Sequence, residues 1–298
     1  MSRLILGTAQ LGSPYGIANH AGQPDMETAM QLIQEAWKGG IRLFDTAQTY
    51  GTSEETLGLA LRGLGVTETA CIVSKLSPAV NAGEAQRVRD MVEASLNILG
   101  VPVLYGLMLH REEQLVLFDG PLGDALQDLV DSGLVRGLGL SSYSPAAALH
   151  ALRHPRVSLL RVPASLFDRR FEEAGVLDLA RELGKEVHIR SALLQGVLCM
   201  KPEALPAPLA PLAPALAAFH EICADQALPH AALALAWMLR RYPEFFVLFG
   251  AETPEQVRQN LSMLDEADRR LSILAAPLEV IRPPQADTLL NPSLWEMP

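Results

Sequence analysis

Ile41-Arg42-Leu43-Phe44-Asp45, continuing into Thr46-Ala47-Gln48-Thr49-Tyr50, is a short, mostly apolar run that stops on a carboxylate and passes into a polar loop. A run this apolar, without strict alternation, is how a strand covered on both faces reads, and strands covered on both faces belong to parallel sheets. Ligands gather at the C-terminal ends of parallel strands, so a carboxylate in that place is informative.

Outward from this stretch the same unit recurs. Strand-like runs at 4–7, 41–45, 70–75, 104–110, 135–141, 158–162, 186–190 and 245–249 alternate with segments of helical period, the order expected of repeated βα units. Met26, Met30, Ile33 and Trp37 fall on one helical face, as do Val88, Val92, Leu96 and Leu99. Gly39, Gly100, Gly133 and Gly184 follow helical segments, where a left-handed residue ends the helix, and Thr253-Pro254 reads as an N-cap followed by a first-turn proline. An open doubly wound sheet gives the same alternation. However, Gly7-Thr8-Ala9-Gln10-Leu11-Gly12 lacks the glycine spacing of the dinucleotide turn in such sheets, and eight units are what a closed barrel needs. The expectation is an α/β protein with a (β/α)8 TIM barrel, one domain over residues 1–298. Residues 202–214, rich in Pro, Ala and Leu, read as a surface loop leading into a helix, and 277–298 as an aperiodic tail packed over the barrel.

A formal net charge of −10 opposes broad attraction to a phosphate backbone, so no nucleic-acid partner is expected. No uninterrupted apolar run is long enough to cross a bilayer, and Met1-Ser2-Arg3 leads into a strand without a cleavage region. A soluble, cytoplasmic protein without a membrane partner is expected. Cys71, Cys199 and Cys223 lack the paired spacing of a zinc site and read as buried free thiols. No cluster has metal-ligand spacing, and the sequence is silent on oligomeric state.

Three strand ends carry chemistry: Asp45, Lys75 after Cys71-Ile72-Val73-Ser74, and His110 after Leu107-Met108-Leu109. Tyr50 lies in the loop just beyond Asp45. Each has an ordinary structural role open to it: a turn cap, a solvated lysine, a packing tyrosine, a core histidine. Together at one barrel mouth they point to catalysis. A buried lysine and a buried aspartate are each costly alone and form a unit when paired. An ammonium beside a phenol, whose ordinary pKa is about 10, makes Tyr50 a better proton donor and acceptor near neutrality. His110 is then placed to hold a substrate oxygen.

Phe44-Asp45-Thr46-Ala47-Gln48-Thr49-Tyr50-Gly51 with Ser53-Glu54, then Val73-Ser74-Lys75 and Leu109-His110, resembles the aldo-keto reductase family in residue type, order and strand context. The resemblance continues through Gly137-Leu138-Gly139-Leu140-Ser141, Leu166-Phe167-Asp168-Arg169-Arg170, Arg190-Ser191, Leu194-Gln195-Gly196 and Gly250 to Asn260. It implies interconversion of a carbonyl and an alcohol by hydride transfer with a nicotinamide cofactor. By that resemblance Tyr50 is the general acid or base, Lys75 lowers its pKa, Asp45 orients Lys75 and His110 positions the carbonyl. The cofactor implied is NADPH, with NADH tolerated, lying across the barrel mouth. Its expected contacts are Gly7, Thr8, Ser141, Ser142, Arg161, Arg190, Gly250, Gln256 and Asn260.

The chain also departs from the family. Ser142 stands where an asparagine often holds the nicotinamide amide, and Arg161 where a glutamine does. Arg161 is a permanent cation with no acceptor to offer. It contacts the cofactor, binds an acidic substrate group, or pairs with a nearby acid such as Asp168. At the adenine end, Gly250 and Gln256 replace the Lys and Arg that favour NADPH, with Arg258 as the compensating candidate. The usual N-terminal hairpin is not seen before Leu4, and the loops after strands four and seven read as short, suiting an open site for a polar, sugar-like carbonyl compound. The alternative is a nucleotide-binding regulatory protein of low turnover on the same fold; a barrel lyase or isomerase using Lys75 without nicotinamide is a third possibility.

Overall fold

A computed structural model describes residues 2–19 and 22–295. Met1 and residues 296–298, the end of the expected tail, lie outside the described residues. The strands are β1 (Leu4–Gly7), β2 (Leu43–Asp45), β3 (Cys71–Lys75), β4 (Gly106–Leu109), β5 (Leu138–Ser141), β6 (Leu159–Pro163), β7 (Glu186–Arg190) and β8 (Phe246–Phe249). They pair in parallel in chain order, and β8 returns to β1 to close the barrel.

The two-residue strand period sorts each strand between two cores. Leu4, Leu6, Phe44, Ile72, Leu107 and Leu160 face the helices. Ile5, Leu43, Val73, Met108 and Leu159 form a separate cluster inside the barrel, with Phe246 and Leu248 against it. Two residues further along each of these strands come Gly7, Asp45, Lys75, His110, Arg161 and Gly250. The candidate site residues are therefore the next inward layer at the mouth. The other end is plugged by side chains of the strand starts: Cys71, Tyr105 and Phe246 pack against the inner cluster. There the Tyr105 hydroxyl donates to Glu186 Oε2 at 2.7 Å, and His188 Nε2 lies 2.6 Å from Glu186 Oε1.

Several local expectations are corrected. Helix Met26–Lys38 buries Ala29, Leu32, Ile33 and Ala36, whereas Met26 and Met30 are 43% and 37% exposed. The small residues face inward because helices Ser53–Leu64 and Pro254–Ser262 both press on that side. Helix Val88–Leu99 buries Val88, Val92, Leu96 and Leu99 as expected. Gly40, with φ 88°, takes the left-handed position, not Gly39, where a Cβ would meet the end of the Leu261 side chain at 2.2 Å. Thr253 caps Pro254–Ser262 by accepting from Gln256 N at 3.2 Å. Of the cysteines, only Cys223 is buried; Cys71 is half-buried and Cys199 exposed.

The segment after β7 is not short. It runs through 3-10 turns at Leu194–Cys199, Pro202–Ala204 and Ala207–Leu212 into helix Ala213–Asp225. Residues 207–225 have the length and mean hydropathy of a membrane span, against the expectation that no such run exists. That apolarity serves docking: Leu209, Leu212, Leu216, Phe219 and Cys223 are buried. Pro277 lies inside helix Leu264–Glu279, so the tail starts later than its composition suggests. Beyond it Ile281, Leu289 and Leu290 are buried, and the Gln285 amide donates to Phe167 O at 2.8 Å.

The loop bearing Tyr50 is held by a backbone crossing. A Cβ on Gly12 would fall 1.7 Å from Tyr50 O, and one on Gly51, whose φ is 54°, 2.1 Å from Gly12 O. We expect Gly12→Ala to destabilise by about 2–3 kcal/mol through forced backbone separation. Gly63→Ala is the contrast, because its Cβ meets only the flexible Met30 Cε at 3.4 Å within helix Ser53–Leu64. It should stabilise by about 0.5–1 kcal/mol. Urea midpoints check both signs; similar midpoints for the two variants would show that the crossing tolerates a side chain.

Candidate active site

A cavity of about 690 Å³ opens at the C-terminal ends of the strands and runs from Asp45 and Tyr50 to Gln256 and Asn260. Gly7, Thr8, Arg161, Arg190 and Gly250 lie on its wall with them. Thus nine of the thirteen expected site residues line one cavity, and Lys75, His110, Ser141 and Ser142 do not.

Lys75 is buried behind that wall, whereas His110 is half-buried. Lys75 is 1% exposed, its Nζ 2.9 Å from Asp45 Oδ1, and it also donates to Thr46 O. The same ammonium lies 4.6 Å from the centroid of the Tyr50 ring. His110 meets that ring edge-on at 5.8 Å, and its Nδ1 is 3.4 Å from Thr49 Oγ1. The expected four therefore converge, in the order Asp45, Lys75, Tyr50, His110.

Arg161 does not pair with Asp168, whose carboxylate is taken by Arg170. It forms an ion pair with Asp45 Oδ2 and is 3% exposed. One carboxylate thus serves two buried cations. The register explains the meeting, since Asp45 and Arg161 both stand on inward strand-end positions of a narrow barrel.

Burial pushes the Tyr50 phenol well above the usual tyrosine range; Tyr15 and Tyr143 add to this, and Arg190 counters. The expected depression by Lys75 is thus not found, because desolvation of the phenolate outweighs the nearby cations. Burial also pulls the His110 imidazole down to about 3, with Lys75, Arg111 and Arg190 adding repulsion, so the ring is neutral near pH 7.

The serine pair at the end of β5 departs from its expected role. The Ser142 hydroxyl donates to Glu112 Oε2 and to Ser144 O, both at 3.0 Å. The Glu112 carboxylate also accepts from the backbone N–H groups of Tyr143 at 2.7 Å and Ser144 at 2.8 Å. Glu112 fixes this turn and takes up the donor capacity of the buried Ser142 hydroxyl. At the far end, Arg258 pairs with Glu255 and approaches Glu35 at 3.9 Å, so it faces away from the cavity that Gln256 and Glu252 line.

Sequence reasoning missed the wall after β7. Ser191, Leu194 and Gln195 take left-handed φ values of 61°, 48° and 51°, which curl this segment over the cavity. It also missed Tyr15 opposite, whose hydroxyl accepts from Gln195 Nε2 at 3.4 Å. The adjacent Gly16, at φ 96°, was the available signal of a tight turn there. Buried Glu54 was quoted only for resemblance. It accepts from Ser74 Oγ at 2.6 Å and Ser95 Oγ at 3.1 Å, outside the strand that carries Lys75.

Comparison with known proteins places the fold and the family. The chain is 28% identical to the NADH-specific methylglyoxal reductase of Escherichia coli (strain K12), over 89% of this chain and 90% of that protein. Its fold is similar to that of aldo-keto reductase AKR11C1 from Bacillus halodurans in its holo form (TM-score 0.74, 23% identity, 96% of this chain and 93% of that one). It is also similar to that of glycerol dehydrogenase AKR11B4 from Gluconobacter oxydans (TM-score 0.70, 24% identity, 94% and 93%). The sequence model described as the aldo/keto reductase family matches residues 3–269, and with the closed barrel and the strand-end residues above it, the chain belongs to the aldo/keto reductase family.

Proposed function

We propose that the protein interconverts a small carbonyl compound and its alcohol with a nicotinamide cofactor, Tyr50 giving or taking the proton. One observation carries the reading: Tyr50 stands on the cavity wall with the buried Lys75–Asp45 pair against its ring face and neutral His110 at its edge. Aldo-keto reductases use nicotinamide cofactors and act on small carbonyl or alcohol substrates, and a relative is named an NADH-specific methylglyoxal reductase.

The cavity suits such a cofactor. Its volume of about 690 Å³ lies in the range of small-molecule sites, and buried Nε atoms of Arg161 and Arg190 have no hydrogen-bond partner there. Gly7, Thr8, Gly250, Gln256 and Asn260 would hold it. When bound, the cofactor supplies or accepts the hydride. Tyr50, kept protonated by burial, donates to the carbonyl oxygen in the reducing direction. Arg190 favours the phenolate left behind, Lys75 faces its ring, and neutral His110 would donate a hydrogen bond to the same oxygen. Asp45 holds Lys75 in place. The regulatory alternative draws on Arg161 and Ser142; steady cofactor turnover with an aldehyde panel separates it from this reading.

Tyr50→Phe removes the hydroxyl and keeps the ring. Turnover should fall at least ~10²-fold with little change in cofactor affinity. Undiminished turnover would take the proton-transfer role from Tyr50.

The pH profile of the reduction is a second measure. Because the His110 imidazole is lowered to about 3, activity should show no limb near the ordinary histidine value of 6.5 as pH falls from 8 to 5. A limb there that disappears in His110→Gln would show that the imidazole titrates.

Glu252 and Gln256 line the far end while Arg258 pairs with Glu255, so among the described residues no arginine stands beside them for a 2′-phosphate, although Lys201 lies on the same cavity wall. NADH should therefore serve, with NADH and NADPH dissociation constants differing by less than ~100-fold. Titration of the protein with each decides it.

A further inference from the structure

The inner end of the cavity gathers three basic side chains. Lys75 and Arg161 both lean on the single carboxylate of Asp45, and Arg190 stands on the same cavity wall. Among the described residues Arg190 pairs with no carboxylate: it donates to Ser191 Oγ and Ser142 O, both at 3.3 Å, and lies 4.4 Å from the centre of the Tyr143 ring. Burial pulls the Lys75 amine well below the usual lysine range, although Glu54, whose oxygens accept from the Ser74 and Ser95 hydroxyls on the outer side of β3, favours its charged form. Glu252 borders the cavity's opposite end, beside Gln256. Arg161 is 3% exposed, yet its Nε has no hydrogen-bond partner, and the Nε of Arg190 is buried in the same condition. Burial, and then repulsion from Arg190, hold the Arg161 guanidinium below the usual arginine range. A buried guanidinium nitrogen without an acceptor is costly until an anion completes it.

Resting on the carbonyl-reductase reading, we propose that Arg161 and Arg190 form a carboxylate subsite beside Tyr50, which makes the preferred substrate a short oxo acid whose carboxylate adjoins the carbonyl. Proximity sets the short spacing. Arg161 reaches the Tyr50 ring through only two contacts, Asp45 and Lys75. A guanidinium recognises a carboxylate through paired N–H donors, which a neutral carbonyl compound cannot match. In the reduction of such a substrate, a hydride from the reduced nicotinamide joins the carbonyl carbon and the Tyr50 proton joins its oxygen. Glyoxylate would leave as glycolate, with the cofactor oxidised.

The test compares glyoxylate with methylglyoxal, two aldehydes that differ in carrying a carboxylate or an acetyl group beside the reacting carbon. It adds binding of oxamate, an unreactive oxo-acid analogue, to the cofactor-loaded protein by calorimetry. The wild-type chain should prefer glyoxylate in kcat/KM, and Arg161→Gln should lower the glyoxylate-to-methylglyoxal ratio at least ~10-fold and weaken oxamate by a similar factor. Arg161→Lys keeps a cation beside Asp45 in case the glutamine variant does not fold, and it should lower the ratio by a smaller factor. Equal treatment of the two aldehydes by wild type and variants would overturn the proposal. So would a variant that loses NADH affinity while binding oxamate as before, which would assign the guanidinium to the cofactor. If neither aldehyde is reduced, the function proposed above fails, but oxamate binding that is lost in Arg161→Gln still supports the subsite.

Discussion

Asp45 gives one carboxylate to two cations that burial would otherwise expel. Lys75 holds Oδ1 and Arg161 holds Oδ2, and all three side chains are at most 3% exposed. Removing water from an ammonium and a guanidinium is tolerated only where an opposite charge and hydrogen bonds replace it, so the three side chains specify one another's positions. The rest of the mouth follows from where this fixes Lys75. Its ammonium lies against the Tyr50 ring face, and His110 closes on the ring edge.

The barrel makes this arrangement possible by geometry alone. Inward positions alternate along each strand, and closure brings eight strand ends around one narrow opening. Below the charged layer, Ile5, Leu43, Val73, Met108 and Leu159 form an apolar floor, and below that Glu186 joins Tyr105 and His188. An apolar layer between two polar ends keeps the field of the upper charges strong. The same desolvation raises the Tyr50 phenol and silences His110 as a base near neutrality.

A second set of interactions carries the outer parts of the chain to the barrel. Arg169, 1% exposed, pairs with Glu279 at 2.6 Å and lies 5.1 Å from the centre of a Trp237 ring that also receives Arg241 at 5.0 Å. The Leu166-Phe167-Asp168-Arg169-Arg170 stretch, notable in sequence only for its resemblance, is thus a clamp between the loop after β6 and the C-terminal helix. Its charges are structural, which is why Asp168 was unavailable to Arg161.

The sequence by itself determined the eight strands, the ends on which Asp45, Lys75 and His110 stand, and the loop that brings Tyr50 back, because strand period and the polar end of an apolar run are local properties. It also determined the cap at Thr253 and the glycine stops after three helices. Only the tertiary structure decided which acid Arg161 meets, that Ser142 is spent on Glu112, that Arg258 turns from the cavity, and that residues 191–201 wall it. Each of these is a competition between partners distant in sequence. Spacing along the chain cannot rank such partners, whereas closing the barrel sets their distances and removes the water that would otherwise satisfy them all equally.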